Sequence, residues 1–232
     1  MRPNETALIR SLPLFSEVPD DSMSRLLKGA LLQQFPVGTV LLHEGDAPDF
    51  LHVLLEGLVE IFTQQGDGES GISLLTPVST FILAAIIADQ AYLNSARTLA
   101  KSRVLLIPAK LVRELLDEDV AFARVVAREL ALAYRSSVKK LKGHMARSSV
   151  ERLANWVLAE ANRHAADASL VIPFDRGTLA SHIGTTRENL SRSLAQLTDH
   201  GIRIRGREIV IENKSSLEGF AKPQKLIDDP AS

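Results

Sequence analysis

The residues with the most specific chemistry lie late in the chain, between Pro173 and Ile211. Asp175 is placed to cap a short helix carrying Leu179, Ala180 and Ile183, and Gly184 breaks that helix. Thr185-Thr186-Arg187-Glu188 follows, with the Thr-x-x-Glu spacing of a capping box. A second helix then buries Leu190, Leu194 and Leu197 and stops at His200-Gly201. Its first two turns hold Thr186, Arg187, Glu188, Ser191 and Arg192 on another face. An arginine there can donate to guanine O6 and N7 together, and a glutamate can accept from cytosine N4. A carboxylate among cations suits base reading, because phosphate would repel it. The plainer alternative is a solvated face, with Glu188 only capping and Arg192 in a surface ion pair. Two helices split by a glycine turn match a helix-turn-helix. Ile202–Arg205 and Glu208–Ile211 around Gly206 predict a β-hairpin wing with Arg203, Arg205 and Arg207 near its tip. With Thr185 and Thr186, these arginines are candidates for the DNA backbone.

Something must position such a pair of helices, and the rest of the chain is long enough to do it. A length of 232 residues suggests two compact units. The hydrophobic fraction of 45% and charged fraction of 24% are globular values. The net charge of −1 hides an asymmetry: residues 1–134 hold 11 Lys+Arg against 17 Asp+Glu, or −6, while residues 135–232 hold 16 against 11, or +5. The basic part is the one that can meet a polyanion. Cysteine is absent, which excludes disulfides, thiolate-held iron–sulfur clusters and a catalytic thiol. Apolar runs such as Phe81–Ala88 fall far short of the roughly 20 residues that cross hydrocarbon, and no signal-peptide core is present. The expectation is a cytoplasmic protein with no membrane partner. No Ser/His/Asp order, metal-ligand cluster or phosphate loop suggests an enzyme, and Asp117-Glu118-Asp119 reads as solvated charge at a helix boundary.

The acidic part predicts an α+β arrangement. Helical patterns over residues 6–34 give way to short strands at Thr39–Leu42, Phe50–Leu55, Leu58–Thr63, Ile72–Leu75 and Arg97–Pro108. Glu56-Gly57 reads as a hairpin turn, and Gln65–Gly71 as a loop. Many short strands with regular turns indicate a barrel or sandwich. After Pro108, Leu116, Val120, Ala123, Ala127, Leu130, Tyr134 and Leu141 form a heptad seam on one long helix, suited to a partner helix in a homodimer. Ala123 and Ala127 would either let two helices approach closely or leave room for a ligand. Gly143 is a candidate hinge. The boundaries read as 1–112 for the sensor, 113–145 for the helix and hinge, 146–215 for the helix-turn-helix and 216–232 for a loose tail.

The order of these parts resembles the CRP/FNR family of bacterial transcription regulators over about residues 8–215. The matching segments are Leu14-Phe15, Pro36-x-Gly38, Gly45-Asp46, Gly57-x-Val59 and Gly184-x-x-Arg187-Glu188-x-x-Ser191-Arg192. The resemblance implies a cyclic-nucleotide-binding-like β-roll (jelly roll), a long dimerisation helix and a winged helix-turn-helix. It implies a homodimer on a palindromic TTGA- or TGTGA-like operator, with recognition helices roughly 34 Å apart and RNA polymerase as a partner. Arg187, Glu188, Ser191 and Arg192 would be the base readers. Members that bind cyclic nucleotide carry a Phe-x-Gly-Glu-like segment and then Arg-Ser or Arg-Thr. Here the corresponding residues are Phe81-Ile82-Leu83-Ala84-Ala85 and Asn94-Ser95-Ala96, so no cAMP is expected. A buried phosphodiester without its arginine would be uncompensated. The iron–sulfur device of FNR is also excluded by the missing cysteines. What is left resembles the Nnr/DNR branch, which responds to nitric oxide in denitrification. That likeness implies haem in an apolar crevice with nitric oxide as its iron ligand, bordered by Leu83, Ala84, Tyr92, Asn94, Ser95, Ala123 and Ala127. No haem ligand can be assigned among His43, His52 and His144. A ligand-binding module acting on a partner protein without DNA is the rival reading.

Overall fold

The computed structural model describes residues 3–65, 68–163, 169–172 and 174–229. The chain divides into two compact units, residues 1–134 and 135–232. The first opens with α1 (Pro3–Arg10), α2 (Pro13–Ser16) and α3 (Asp20–Gly29). Strands β1 (Leu31–Phe35), β2 (Val40–Leu42), β3 (Phe50–Glu56), β4 (Val59–Gln65), β5 (Gly68–Leu75) and β6 (Ser79–Phe81) follow. After α4 (Leu83–Ala88) come β7 (Ser95–Thr98), β8 (Ser102–Pro108), α5 (Ala109–Glu118) and the start of α6 (Val120–Ala146). The strands form two antiparallel four-stranded sheets, ordered β1-β8-β3-β6 and β2-β7-β4-β5. Leu51 to Leu55 of β3 are all buried. A half-solvated strand would alternate. Here one face meets the other sheet's side chains and the other is covered by helices, among them Met23 and Leu26 of α3, Val112 and Leu115 of α5, and Phe122, Val125 and Val126 of α6. Each such burial contributes about 1.5–3 kcal/mol.

The expected α+β fold with a β-roll is observed, with local corrections. Glu56-Gly57 is no hairpin turn, because β3 and β4 lie in different sheets and the chain crosses between them there. Gly57 has φ +102°, and a Cβ would lie 2.7 Å from the Lys101 carbonyl oxygen, so the crossing needs glycine twice over. The loop expected at 65–71 is mostly strand, since β5 begins at Gly68 and pairs with β4. Residues 66 and 67 lie outside the described residues. The single helix expected from residue 113 is two helices. Asp119 Oδ1 accepts from the amides of Ala121 and Phe122 and starts α6 afresh. Leu116 therefore sits on α5, partly buried against the β-roll core, and leaves the expected seam.

The second unit holds the end of α6, then α7 (Ser149–Arg163), β9 (Ser169–Val171), α8 (Arg176–Ile183) and α9 (Arg187–Thr198). It closes with β10 (Ile202–Arg205), β11 (Glu208–Ile211), α10 (Lys214–Ala221) and α11 (Lys225–Asp228). Gly143 is no break: α6 runs through it to Ala146. α7 starts with a reciprocal cap, in which the Ser148 amide donates to Glu151 and the Glu151 amide to the Ser148 hydroxyl. The wing has a third strand, with β9 pairing β11.

Residues 216–229 are not a loose tail. Leu217 and Ala221 are buried, and Asn155 Nδ2 donates to the Ala221 carbonyl. Arg147 holds Asp228 in a two-pronged pair at 2.7 and 2.6 Å, with its own side chain only 7% exposed. Burial alone would push the Asp228 carboxyl up, but this guanidinium and the Gln224 amide hold it down. Arg147→Ala leaves Asp228 without its cation, and we expect a loss of about 2 kcal/mol. The urea midpoint should fall accordingly, whereas Arg205→Ala, at an exposed position, should leave it within about 0.5 kcal/mol.

Candidate nucleic-acid interface

The pair α8 and α9 is built from its caps inward. Asp175 Oδ1 accepts from the amides of Gly177 at 2.6 Å and Thr178 at 3.0 Å, and these bonds keep its carboxyl ionised below the usual range. Gly184 ends α8 with φ +74°. A Cβ there would also lie 2.5 Å from His144 Cε1. Arg152 of α7 fastens the turn, since its Nε donates to the Ile183 carbonyl, Nη2 to that of Gly184 and Nη1 to that of Arg147. One side chain thereby satisfies carbonyls that the end of α8 leaves without helical partners. The role of Arg152 could not be read from sequence, because nothing local in its own helix announces it.

α9 is capped by Thr186, whose hydroxyl accepts from the Asn189 amide at 3.2 Å. The expected Thr185–Glu188 box is therefore displaced by one residue, and Glu188 is not at its third position. Leu190, Ser193, Leu194 and Leu197 are buried where α9 packs on α7 and α8. With 3.6 residues per turn, that stripe forces Arg187, Glu188, Ser191 and Arg192 outward, and all four are exposed. The Glu188 carboxyl is held low, first by its own backbone amide and the Thr186 hydroxyl, then by Arg187 and Arg192. It is thus a fixed acceptor between cations. Arg187 lies 3.8 Å from Asp175, and Ser191 donates to the Arg187 carbonyl. Thr186 is exposed and Thr185 half-buried beside them.

In the wing, Ile202 and Ile209 face inward while Arg203, Arg205 and Arg207 are exposed. Arg203 pairs with Glu212 at 2.7 Å, which makes it the more restrained of the three. Beneath the turn, burial pushes His182 down to about 4, aided by Lys140, Arg163 and His144. Its ring is therefore neutral at pH 7 and packs edge-on to Trp156.

The residues expected around an effector differ in exposure. Leu83 and Tyr92 are buried in the β-roll core, and Ala84 is exposed. The Tyr92 hydroxyl donates to the Phe50 carbonyl at 3.4 Å. The Ser95 hydroxyl accepts from the Glu44 amide, and Asn94 beside it is half-buried. His52 is buried, donates from Nδ1 to the Phe50 carbonyl and is lowered by burial to about 4. Within this set Tyr92 and Ser95 already have hydrogen-bond partners in the β-roll, and Ala84 and Ala127 face solvent. Arg97, the arginine nearest in sequence to Asn94-Ser95-Ala96, is engaged by Glu60 at 2.8 Å and Glu69 at 2.5 Å and lies over the Phe62 ring.

On α6 the expected seam residues differ in exposure. Val120 and Tyr134 in the first unit are 66% and 71% exposed, and Leu141 in the second is 60% exposed. Ala127 is also exposed, Ala123 is half-buried, and Leu130 packs partly on the β-roll core. Among the described residues no helix is long and apolar enough to cross a membrane.

Comparison with known proteins agrees with this division. Residues 32–119 match the cyclic nucleotide-binding domain and residues 151–220 the Crp-like helix-turn-helix domain. The chain is 23% identical over 215 residues to a CRP-like cAMP-activated global transcriptional regulator of Mycobacterium tuberculosis, covering 90% of this chain and 96% of that one. Among solved structures, the c-di-GMP responsive global regulator CLP of Xanthomonas campestris superposes with a TM-score of 0.71 at 17% identity, over 84% of this chain and 100% of that one. DNR of Pseudomonas aeruginosa gives 0.53 at 20% identity, over 95% and 99%. Likeness at these identities speaks to the fold and not to the effector. A cyclic nucleotide-binding domain is thus followed by a Crp-like helix-turn-helix domain, each seen in the fold and each matched by its family model, and this is the domain content of a CRP-like DNA-binding transcription regulator.

Proposed function

We propose that this protein acts in the cytoplasm as a homodimer, reads a palindromic TTGA- or TGTGA-like operator, and works there with RNA polymerase. The observation that carries base reading is the outward face of α9, where an ionised Glu188 stands between Arg187 and Arg192 on a helix whose other face is buried. Arg192 and Glu188 read guanine and cytosine edges, with Arg187 and Ser191 beside them. Thr185, Thr186, Arg203, Arg205 and Arg207 hold phosphates, and so set register. The dimer reading is supported by Val120, Tyr134 and Leu141, large apolar side chains exposed at heptad spacing.

The effector in this reading is not a cyclic nucleotide. Support comes from Arg97, whose guanidinium is taken up by two glutamates, and from the lack of any arginine at Asn94-Ser95-Ala96. Nitric oxide is the effector favoured by the resemblance to the Nnr/DNR branch.

Three measurements test these statements. In fluorescence anisotropy, Arg192→Ala should cost roughly 1–3 kcal/mol on the operator and almost nothing on scrambled DNA. Arg205→Ala should weaken both about equally and reduce the salt slope by about one. Equal losses on every sequence for Arg192→Ala would remove it from the readers. Light scattering should give a dimer mass for the wild type and a mass near that of one chain for Tyr134→Glu, since a carboxylate in an apolar seam is left unpaired. A wild type with the mass of one chain under all conditions would end the dimer. Anaerobic operator binding should change on adding nitric oxide, and an unchanged affinity would eliminate that effector.

A further inference from the structure

Two residues at the start of α8 reach the outward face of α9. Asp175 Oδ1 lies 3.8 Å from Arg187 Nη2, and both side chains are exposed. Two residues on, Gly177 leaves the space that the guanidinium fills: a Cβ there would lie 2.5 Å from Arg187 Nε and 2.7 Å from its Cζ. Gly177 lies within α8, where no positive φ calls for glycine. What uses its missing side chain is the guanidinium laid over it. Arg192, by contrast, is held within its own helix, where Nη2 donates to Asn189 Oδ1 at 2.5 Å.

An acid here is at odds with a surface meant for a polyanion, because it repels phosphate. Capping alone does not need the charge, since asparagine caps a helix as well as aspartate does. The charge has a second effect. Asp175 Oδ1 already accepts from the Gly177 and Thr178 amides, which fixes the carboxylate in place. At 3.8 Å it attracts Arg187 without closing a hydrogen bond on it, so the guanidinium keeps its N–H donors. Glu188, next along the chain, adds a second carboxylate. A cation between two acids is a poor partner for phosphate, whereas the uncharged O6 and N7 edge of guanine is not turned away. Resting on the DNA-binding reading above, we propose that Asp175 and Gly177 are positioning residues for Arg187: they hold its guanidinium over the first turn of α8, keep it from the phosphates and commit it to one base pair of each half-site. Asp175 thereby determines specificity at that base pair without touching it.

Fluorescence anisotropy on the full chain tests this, with the duplex that the wild type selects from random DNA and every single-base-pair variant of that duplex. Arg187→Ala marks the base pair that Arg187 reads, by flattening the preference there alone. Asp175→Asn keeps the cap and removes the charge. It should weaken discrimination at that same base pair about two- to fivefold, the range of an exposed ion pair, while affinity for scrambled DNA rises because a repelling charge is gone. Gly177→Ala keeps cap and charge and displaces the guanidinium. It should weaken the same discrimination by a similar factor, with a urea midpoint no lower than that of the wild type, since alanine favours a helix over glycine. In the Arg187→Ala background neither change should alter that base pair further. Loss of discrimination at every base pair together with weaker binding of scrambled DNA would make Asp175 merely structural and overturn the proposal. A wild-type profile in Asp175→Asn, in Gly177→Ala or in Arg187→Ala would overturn it as well. In each of these cases the wild type's own preference for its duplex leaves the DNA-binding reading standing, whereas a wild type that enriches no duplex would end both.

Discussion

The second unit depends on one constraint, the burial of Leu190, Leu194 and Leu197 along one side of α9. Each buried leucine contributes about 1.5–3 kcal/mol, so together they outweigh any preference that the polar residues have for another orientation. The rotation of α9 about its axis is thereby set. Because a helix repeats every 3.6 residues, fixing the leucines also fixes where Arg187, Glu188, Ser191 and Arg192 point. That outward face needs no hydrogen bonds of its own to be oriented. It is held by what lies behind it.

That arrangement works only if the turn before α9 is stiff. Gly184 supplies a left-handed backbone, Thr186 caps the new helix, and Arg152 donates to the carbonyls that the turn leaves open. His144 packs on the glycine itself, and the end of α6 meets α11 through Gly143 and Ile227. Charge near this turn is managed by keeping the histidines neutral: burial lowers both His144 and His182, and the neighbouring cations push the same way. The C-terminal helices add a second brace through Arg147 and Asp228. The unit is thus tied by buried or half-buried cations on one side and presents solvated ones on the other.

The β-roll tells a different story about charge. Two of its arginines are each shared between two acids, Arg97 by Glu60 and Glu69 and Arg103 by Glu5 and Glu56. An arginine already shared between two carboxylates is a poor partner for a phosphate, because the incoming anion must displace or compete with them. Among the described residues of this unit, Glu129 Oε1 is a buried carboxylate oxygen without a hydrogen-bond partner.

The sequence by itself determined what depends on local chemistry and periodicity. It announced the two short helices and their glycine break, the exposed quartet of α9, the hairpin wing, the sandwich of short strands and the missing nucleotide arginine. Each of these is written in spacing of 3 to 4 residues, in strict alternation, or in a single residue type. What only the tertiary structure decided involves partners far apart in the chain. The break at Asp119, the crossing at Gly57 that sends β4 to the other sheet, the docking of residues 214–228, and the clamp formed by Arg152 all rest on contacts that no local window contains. Asp119 looked like part of a solvated acidic run until its carboxylate was seen to take two amides.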